Sequence, residues 1–244
     1  MKKLLLAMII AAVLSAAPAF AGFINGGFED GNFGNWTKDG GSYSGSGTYS
    51  YTGDPGKSAI VTQGKDYYSG NNLDMVYGGT YAARVNNYDW NFHFSTISQT
   101  VTNWQDEKIY FAWAAVLENP GHSYAGHFSL TLMDINTNTA LYDIYFDYYS
   151  AGTTLPTGTW KDGISGWKYS DWQVVDLDTS AVKGHDLMLT LLASDCAAGG
   201  HGGYAYLDGF GAAPPIQGGE VPEPATMVLF GLGLLGLAGV SRKK

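Results

Sequence analysis

The alternation of apolar and polar positions predicts strands along most of the chain. Phe128-Ser129-Leu130-Thr131-Leu132 puts Phe and Leu on one face, and Leu187, Leu189 and Leu191 do the same further on. Ile109–Leu117 is almost wholly apolar, as a central strand covered on both sides would be. Further strands are expected at Phe23–Phe28, Ala59–Thr62, Tyr81–Val85, Thr96–Val101, Ala140–Tyr148, Trp172–Leu177 and Tyr204–Phe210. Asp134-Ile135-Asn136-Thr137-Asn138-Thr139 reads as a hairpin turn between two of them. No stretch between residues 22 and 213 has a helical period. The expected fold is all-β, an antiparallel β-sandwich of jelly-roll type. Gly40–Gly56 and Ser150–Asp171 look too long for tight turns, and loops beyond about 12–15 residues often carry function.

The apolar pattern changes character at both ends. Met1-Lys2-Lys3, the run Leu4–Leu14 and the small-residue site Ala19-Phe20-Ala21 form a secretory signal peptide, with cleavage expected before Gly22. At the other end Val221-Pro222-Glu223-Pro224 precedes an unbroken apolar and glycine run, Met227–Val240, and then Ser241-Arg242-Lys243-Lys244. A helix over about residues 226–240 would be roughly 22 Å long, short for a hydrocarbon core of about 30 Å. The terminal cations place its far end in the cytoplasm and the bulk of the chain outside. The organisation expected is a signal peptide at 1–21, one β domain at 22–213, a linker at 214–220 and a terminal segment at 221–244.

Composition sharpens the picture. The chain has 244 residues with 34 Gly, 17 Tyr, 7 Trp and 14% charged residues, against roughly 25% in ordinary soluble domains. The end segments hold five of the 13 basic residues. With a cut after Pro224 they hold none of the 22 acidic ones, so the mature domain carries eight against 22, near −14. That balance excludes nucleic acid, which needs a basic footprint. It is compatible with neutral polymers and divalent cations. One cysteine, Cys196, excludes a disulfide framework and a multi-cysteine zinc site.

The Pro-Glu-Pro motif, short glycine-rich helix and basic terminus, paired with a signal peptide, resemble the PEP-CTERM sorting signal of exopolysaccharide-producing Gram-negative bacteria. The resemblance implies processing by an exosortase, a membrane cysteine protease. Pro222, Glu223 and Pro224 would be recognition residues, with Val221 before them and Arg242, Lys243 and Lys244 completing the signal. It also implies a membrane anchor before processing and a final site at the cell surface or in the extracellular matrix.

A second resemblance lies in the domain itself. Asn25-Gly26-Gly27-Phe28-Glu29 with Trp36 at the start, Arg84-Val85-Asn86-Asn87 and Ile97–Val101 in the middle, and Tyr204–Phe210 with Asp208 at the end are similar to galactose-binding-like jelly rolls. Many carbohydrate-binding modules share that fold. In that family the opening Glu and closing Asp often share a structural calcium, which by motif would be Glu29 and Asp208. A hard cation suits such oxygen donors. The bland alternative makes them a turn carboxylate and a strand-end cap.

Sugars stack their apolar C–H faces on aromatic rings beside polar groups. Candidate platforms are Tyr88 and Trp90, with Asn86 nearby, and Trp160, Trp167 and Tyr169; for each, core packing is the competing role. Trp36, Trp113 and Trp172 are assigned to the core. Asp195, Cys196 and His201 within seven residues could suggest a metal site or a cysteine nucleophile. A metal site needs three or four ligands, and only one cysteine exists. A nucleophilic Cys–His pair is normally distant in sequence, and the glycines between Cys196 and His201 read as a tight strand-connecting loop. Gly41–Gly45 spells Gly-Ser-Tyr-Ser-Gly, with Tyr43 where a nucleophile elbow has its serine and no helix after it. His122 and His127 lack a zincin spacing. Asp143 with Asp147, and Asp176 with Asp178, share strand faces as glycosidase carboxylates could.

The expected role is an exported, surface-sorted, non-catalytic protein binding extracellular polysaccharide in a biofilm or surface matrix. A hydrolase or lyase acting on that polysaccharide, and a structural surface protein without a ligand, are the alternatives.

Overall fold

The computed structural model describes residues 22–150 and 159–218. The expected signal peptide, the exosortase motif and the terminal helix lie outside the described residues. Among the described residues no helix is long and apolar enough to cross a membrane.

Thirteen strands among the described residues form two antiparallel sheets. They are β1 (Thr37–Ser44), β2 (Thr48–Tyr51), β3 (Ala59–Thr62), β4 (Tyr81–Val85), β5 (His93–Val101), β6 (Lys108–Glu118), β7 (His127–Asp134), β8 (Thr139–Asp147), β9 (Trp160–Asp162), β10 (Trp167–Ser170), β11 (Gln173–Asp178), β12 (Leu187–Ser194) and β13 (Gly203–Gly211). One sheet has the order β2-β1-β5-β12-β7-β8. The other runs β3-β4-β13-β6-β10-β9, and β11 pairs with the remaining length of β6. The all-β sandwich expected from the alternation is the observed fold.

The period-2 pattern explains the core. Phe128, Leu130 and Leu132 of β7 and Leu187, Leu189 and Leu191 of β12 point inward, opposite Ile109, Phe111 and Trp113 of β6. β6 is buried on its other side too. Ala114 and Val116 there join Tyr204, Tyr206, Trp167 and Tyr169 under the segment 63–80. That segment crosses the outer face and returns, pinned by Asp66, whose Oδ2 accepts hydrogen bonds from Tyr204 (2.6 Å) and Tyr206 (2.8 Å). A buried acceptor with two donors avoids the cost of stranding three polar groups.

Three expectations are corrected. Phe23–Phe28 is not a strand but a pair of turns. Gly26 meets the backbone there: a Cβ on it would stand 1.7 Å from the Phe210 carbonyl oxygen. Phe23 and Phe28 still pack into the core. Gly40–Gly56 is not a loop. It contains the β1–β2 hairpin, whose inter-strand pairs include Tyr43↔Tyr49 and Gly41↔Tyr51. Of Ser150–Asp171, residues 151–158 lie outside the described residues, and the rest contains β9 and β10, paired through Lys168↔Asp162. The turn at Asp134–Thr139 holds as expected, with Asp134 Oδ1 accepting from the Asn136 amide. Trp36 and Trp113 are buried, and Trp172 is half-buried against Tyr77 and Tyr206.

Candidate functional site

The antiparallel register gives the sandwich two distinct ends. β13 starts beside Leu117 of β6 and ends near Tyr110. Loops 86–92, 119–126 and 195–202 therefore gather at one end, called distal here. Residues 23–36, 77–80 and 209–218 gather at the other, from which the chain leaves toward its C-terminal motif. Nine residues of β13 separate the ends, roughly 30 Å at strand rise.

At the distal end the loop after β4 carries Tyr88, Asp89, Trp90 and Asn91. With Tyr68 they line a cavity of about 430 Å3. Trp90 is 59% exposed and Tyr88 46%, so both rings offer a face to solvent. The loop is held from inside. Asn86 (φ 64°) and Phe92 (φ 61°) take left-handed backbone conformations at its two ends, which Asn tolerates and Phe does so only under constraint. The constraint is Asp195. Its carboxylate accepts from Asn86 Nδ2 (2.8 Å), the His93 amide (3.1 Å) and the Asn91 amide (3.4 Å). Burial pushes the Asp195 carboxyl up to about 7 despite these donors. On the outside, Lys57 pairs with Asp89 at 2.9 Å. Hydrogen bonds from Lys57 and then Asn87 hold the Asp89 carboxyl below its usual value. Glu118 Oε2 accepts the Gly202 amide at 2.8 Å. Burial raises the Glu118 carboxyl, and the Trp90 side chain acts to lower the same carboxyl.

The other expected platforms are interior. Trp167 is 2% exposed, stacked on Tyr68 at 4.3 Å, and Tyr169 is buried beside it. Both lie under the 63–80 segment and present no face to a ligand. Trp160 is half-buried against Phe146 and Phe128. Asn86 is fully buried and acts as a brace between Asp195 and the Gly203 carbonyl rather than as a contact residue. The rings that sequence reading missed are on the open face of the first sheet. Tyr49, Tyr51 and Tyr145 are exposed there. The signal was present in the alternation Thr48–Tyr51, masked by its Gly/Ser-rich surroundings.

The end nearest the linker brings Glu29 and Asp208 together. Glu29 accepts from the Thr80 and Tyr81 amides at 3.1–3.2 Å. Asp208 Oδ2 accepts from Tyr77 and Gly78 at 3.0 Å. Both border the space left by Gly27: a Cβ there would lie 3.7 Å from Glu29 Cγ and 3.8 Å from Asp208 Oδ1. Burial pushes the Asp208 carboxyl up to about 7, and the Glu29 charge adds to the rise. Two carboxylates at a glycine-lined niche are a donor set that fits a hard cation.

The carboxylates that could have formed a glycosidase pair each have a hydrogen-bond or ion-pair partner. Asp143 accepts from the Thr131 hydroxyl, and Asp147 caps the turn at Tyr149 and Ser150. Asp176 pairs with Lys108, and Asp178 accepts from the Ser180 amide. His127 is buried between Ser194 and Tyr49, and burial lowers its imidazole to about 4. The Gly41–Gly45 string runs along β1 and out into the hairpin turn, not onto a helix.

Residues 220–243 match the PEP-CTERM protein-sorting motif. The motif marks an exported protein with a C-terminal membrane anchor before processing by an exosortase. No curated protein matches the chain. Among solved structures, TmCBM61 in complex with β-1,4-galactotriose has a TM-score of 0.43 and 16% identity, covering 78% of this chain and 94% of that one. Caldicellulosiruptor saccharolyticus CBM27-1 in complex with mannohexaose has a TM-score of 0.42 and 13% identity, covering 78% and 96%. The K2 cleaved adhesin domain of Lys-gingipain has a TM-score of 0.34 and 16% identity, covering 72% and 87%.

Proposed function

We propose that the exported domain binds neutral extracellular polysaccharide, without catalysis, in the surface matrix or biofilm of a Gram-negative bacterium. The observation that carries this reading is the distal cavity. Two exposed rings, Tyr88 and Trp90, stand beside Asp89 and Asn91 on a loop braced from within. Rings supply stacking for pyranose faces, and the adjacent carboxylate and amide supply hydrogen bonds to hydroxyls. A mature charge near −14 repels anionic polymers and leaves neutral glycans as the favoured class. The cavity lies at the end of β13 opposite the chain's exit toward its membrane anchor, where a long polymer has access. Signal peptidase cleavage before Gly22 and exosortase action at Pro222–Pro224 complete the itinerary.

Glycan-array binding of the exported protein tests this. Loss of signal on Trp90→Ala supports the distal site. Retained signal on Trp90→Ala with loss on Tyr51→Ala moves the site to the open sheet face. Release of reducing sugar from neutral polysaccharide overturns the non-catalytic reading.

Glu29 and Asp208 form a structural calcium site on the same reading, stapling the first and last segments of the domain. Ligand held only by the folded state stabilises it by about 2.7 kcal/mol at a hundredfold excess over Kd. EDTA should therefore lower the melting temperature, and calcium should restore it. An unmoved transition removes the staple.

A further inference from the structure

Cys196 is buried, and the loops around it bring two histidines to its sulfur. Cys196 Sγ lies 3.6 Å from His201 Nδ1. His122 arrives from the loop between β6 and β7, its ring centroid 5.3 Å from that of His201. One ligand atom from each of the three residues falls within 4.8 Å of the others. We propose that His122, Cys196 and His201 bind a zinc(II) ion. The site is independent of the glycan reading.

Three observations support the assignment. The spacing comes first. Zn–S of about 2.3 Å and Zn–N of about 2.0–2.1 Å at tetrahedral angles put sulfur and nitrogen about 3.5 Å apart. The Cys196–His201 pair already has that separation, and the remaining distances need about 1 Å of closure by His122.

The second is the protonation pattern of His122. Its Nδ1 lies 2.7 Å from the Ser123 carbonyl oxygen. A carbonyl only accepts, so Nδ1 carries the proton and Nε2 keeps its lone pair. That Nε2 is buried with no hydrogen-bond partner. A stranded acceptor is costly. A ring nitrogen freed by a carbonyl bond at the other nitrogen is the usual outer-sphere arrangement of a metal-bound imidazole.

The third is the sulfur's surroundings. Burial raises the Cys196 thiol, and the nearby backbone amides of Ala198, Gly199 and His201 act against that rise. Gly199 (φ 79°) and Gly200 (φ 95°) shape the tight turn that aims them. Backbone donors around a sulfur stabilise the thiolate that a metal requires, against a burial that otherwise raises the thiol. Three protein ligands leave the fourth position to a bound water. On binding, the Cys196 S–H proton passes to the buffer and an S–Zn bond forms, so one proton is released per ion. The ion would tie loop 119–126 to loop 195–202. The Gly202 amide of the latter bonds Glu118 of β6.

The exported chain, freed of metal by a chelator, should take up one equivalent of zinc. Affinity should rise with pH as the thiol proton is lost. Cobalt(II) in the same site should show a near-ultraviolet thiolate charge-transfer band and visible bands of four-coordinate intensity. Cys196→Ser should abolish the charge-transfer band and weaken zinc by roughly 100-fold or more. His122→Gln, on a half-exposed residue, should weaken zinc by at least tenfold while the far-ultraviolet spectrum stays native. It decides the matter if Cys196→Ser fails to fold. The absence of the cobalt–thiolate band, or zinc affinity unchanged in His122→Gln, overturns the proposal.

Discussion

The two ends of the sandwich use the same residue types in opposite ways. Near the linker, Phe23, Phe28, Trp36 and Phe210 close on one another, with Phe23 and Phe210 centroids at 4.3 Å and Phe28 and Trp36 at 5.1 Å. At the distal end Tyr88 and Trp90 stand open above a cavity. The carboxylates divide likewise. Asp208 receives the amides of Tyr77 and Gly78 and draws two distant segments together. Asp89 sits on the surface, tethered to Lys57. The closed end secures the chain termini of the domain. The open end offers rings whose faces are unspent. Exposure on a braced loop, rather than the presence of aromatics, separates a recognition site from a core.

The largest expected effect breaks the closed end. Trp36→Ala removes a buried ring and leaves the Asn25 carbonyl without its indole donor. The cost should be about 3–5 kcal/mol of unfolding free energy by denaturant titration. Where the domain stays folded, glycan affinity should be unchanged. A loss below about 1 kcal/mol would show that this end is not part of the cooperative core.

The next effect is pH-dependent and distinguishes the ends electrostatically. Asp208 and Asp195 each have an ordinary carboxyl value near 3.8 raised to about 7 in the fold. Between those values the folded state holds more protons than the unfolded state. Stability therefore falls as pH rises from about 4 to about 7, and then levels. Each group contributes on the order of 2–4 kcal/mol. In EDTA, Asp208→Asn should remove part of the fall and Asp195→Asn a similar part. Added calcium should abolish only the Asp208 part. A calcium effect that persists in Asp208→Asn would place the ion elsewhere.

At the open end, Trp90→Ala should leave the melting transition almost unmoved, because the ring is largely in water. Glycan binding should weaken by roughly 30-fold, the worth of about 2 kcal/mol for a stacking anchor. Isothermal titration calorimetry with the best array ligand measures it. An unchanged affinity would transfer the function to Tyr49, Tyr51 and Tyr145.

The contrast between the ends was legible in part. Period-2 alternation located β7 and β12, because one buried face imposes it. The apolar run of β6 marked a strand covered on both sides. β1 and β2 escaped because glycine, serine and tyrosine mimic a loop when read locally; their pairing with β5 and with each other supplies what propensity lacks. Glu29 and Asp208 were placed together by motif alone, since nothing local predicts a contact across some 180 positions. Tyr88 and Trp90 were separable from Trp167 only by burial, which depends on the 63–80 segment folding back over the second sheet. The soft-ligand cluster was invisible for the same reason: His122 lies more than 70 positions from Cys196 and meets it only when two loops converge.

The smallest expected effect decides what holds the open end in shape. Lys57 and Asp89 form a partly exposed ion pair, and such pairs are worth about 0.2–1 kcal/mol. Asp195 is buried and binds the loop backbone at two amides as well as the Asn86 side chain. If the buried carboxyl sets the loop, Lys57→Met should weaken glycan binding less than threefold and make it less salt-sensitive. Asp195→Ala should then weaken binding far more than Lys57→Met, because Asn86 and the His93 amide lose their acceptor together. Equal losses from the two variants would mean that the surface pair, not the interior, preorganises the rings. The open end would then owe its shape to solvent-screened contacts.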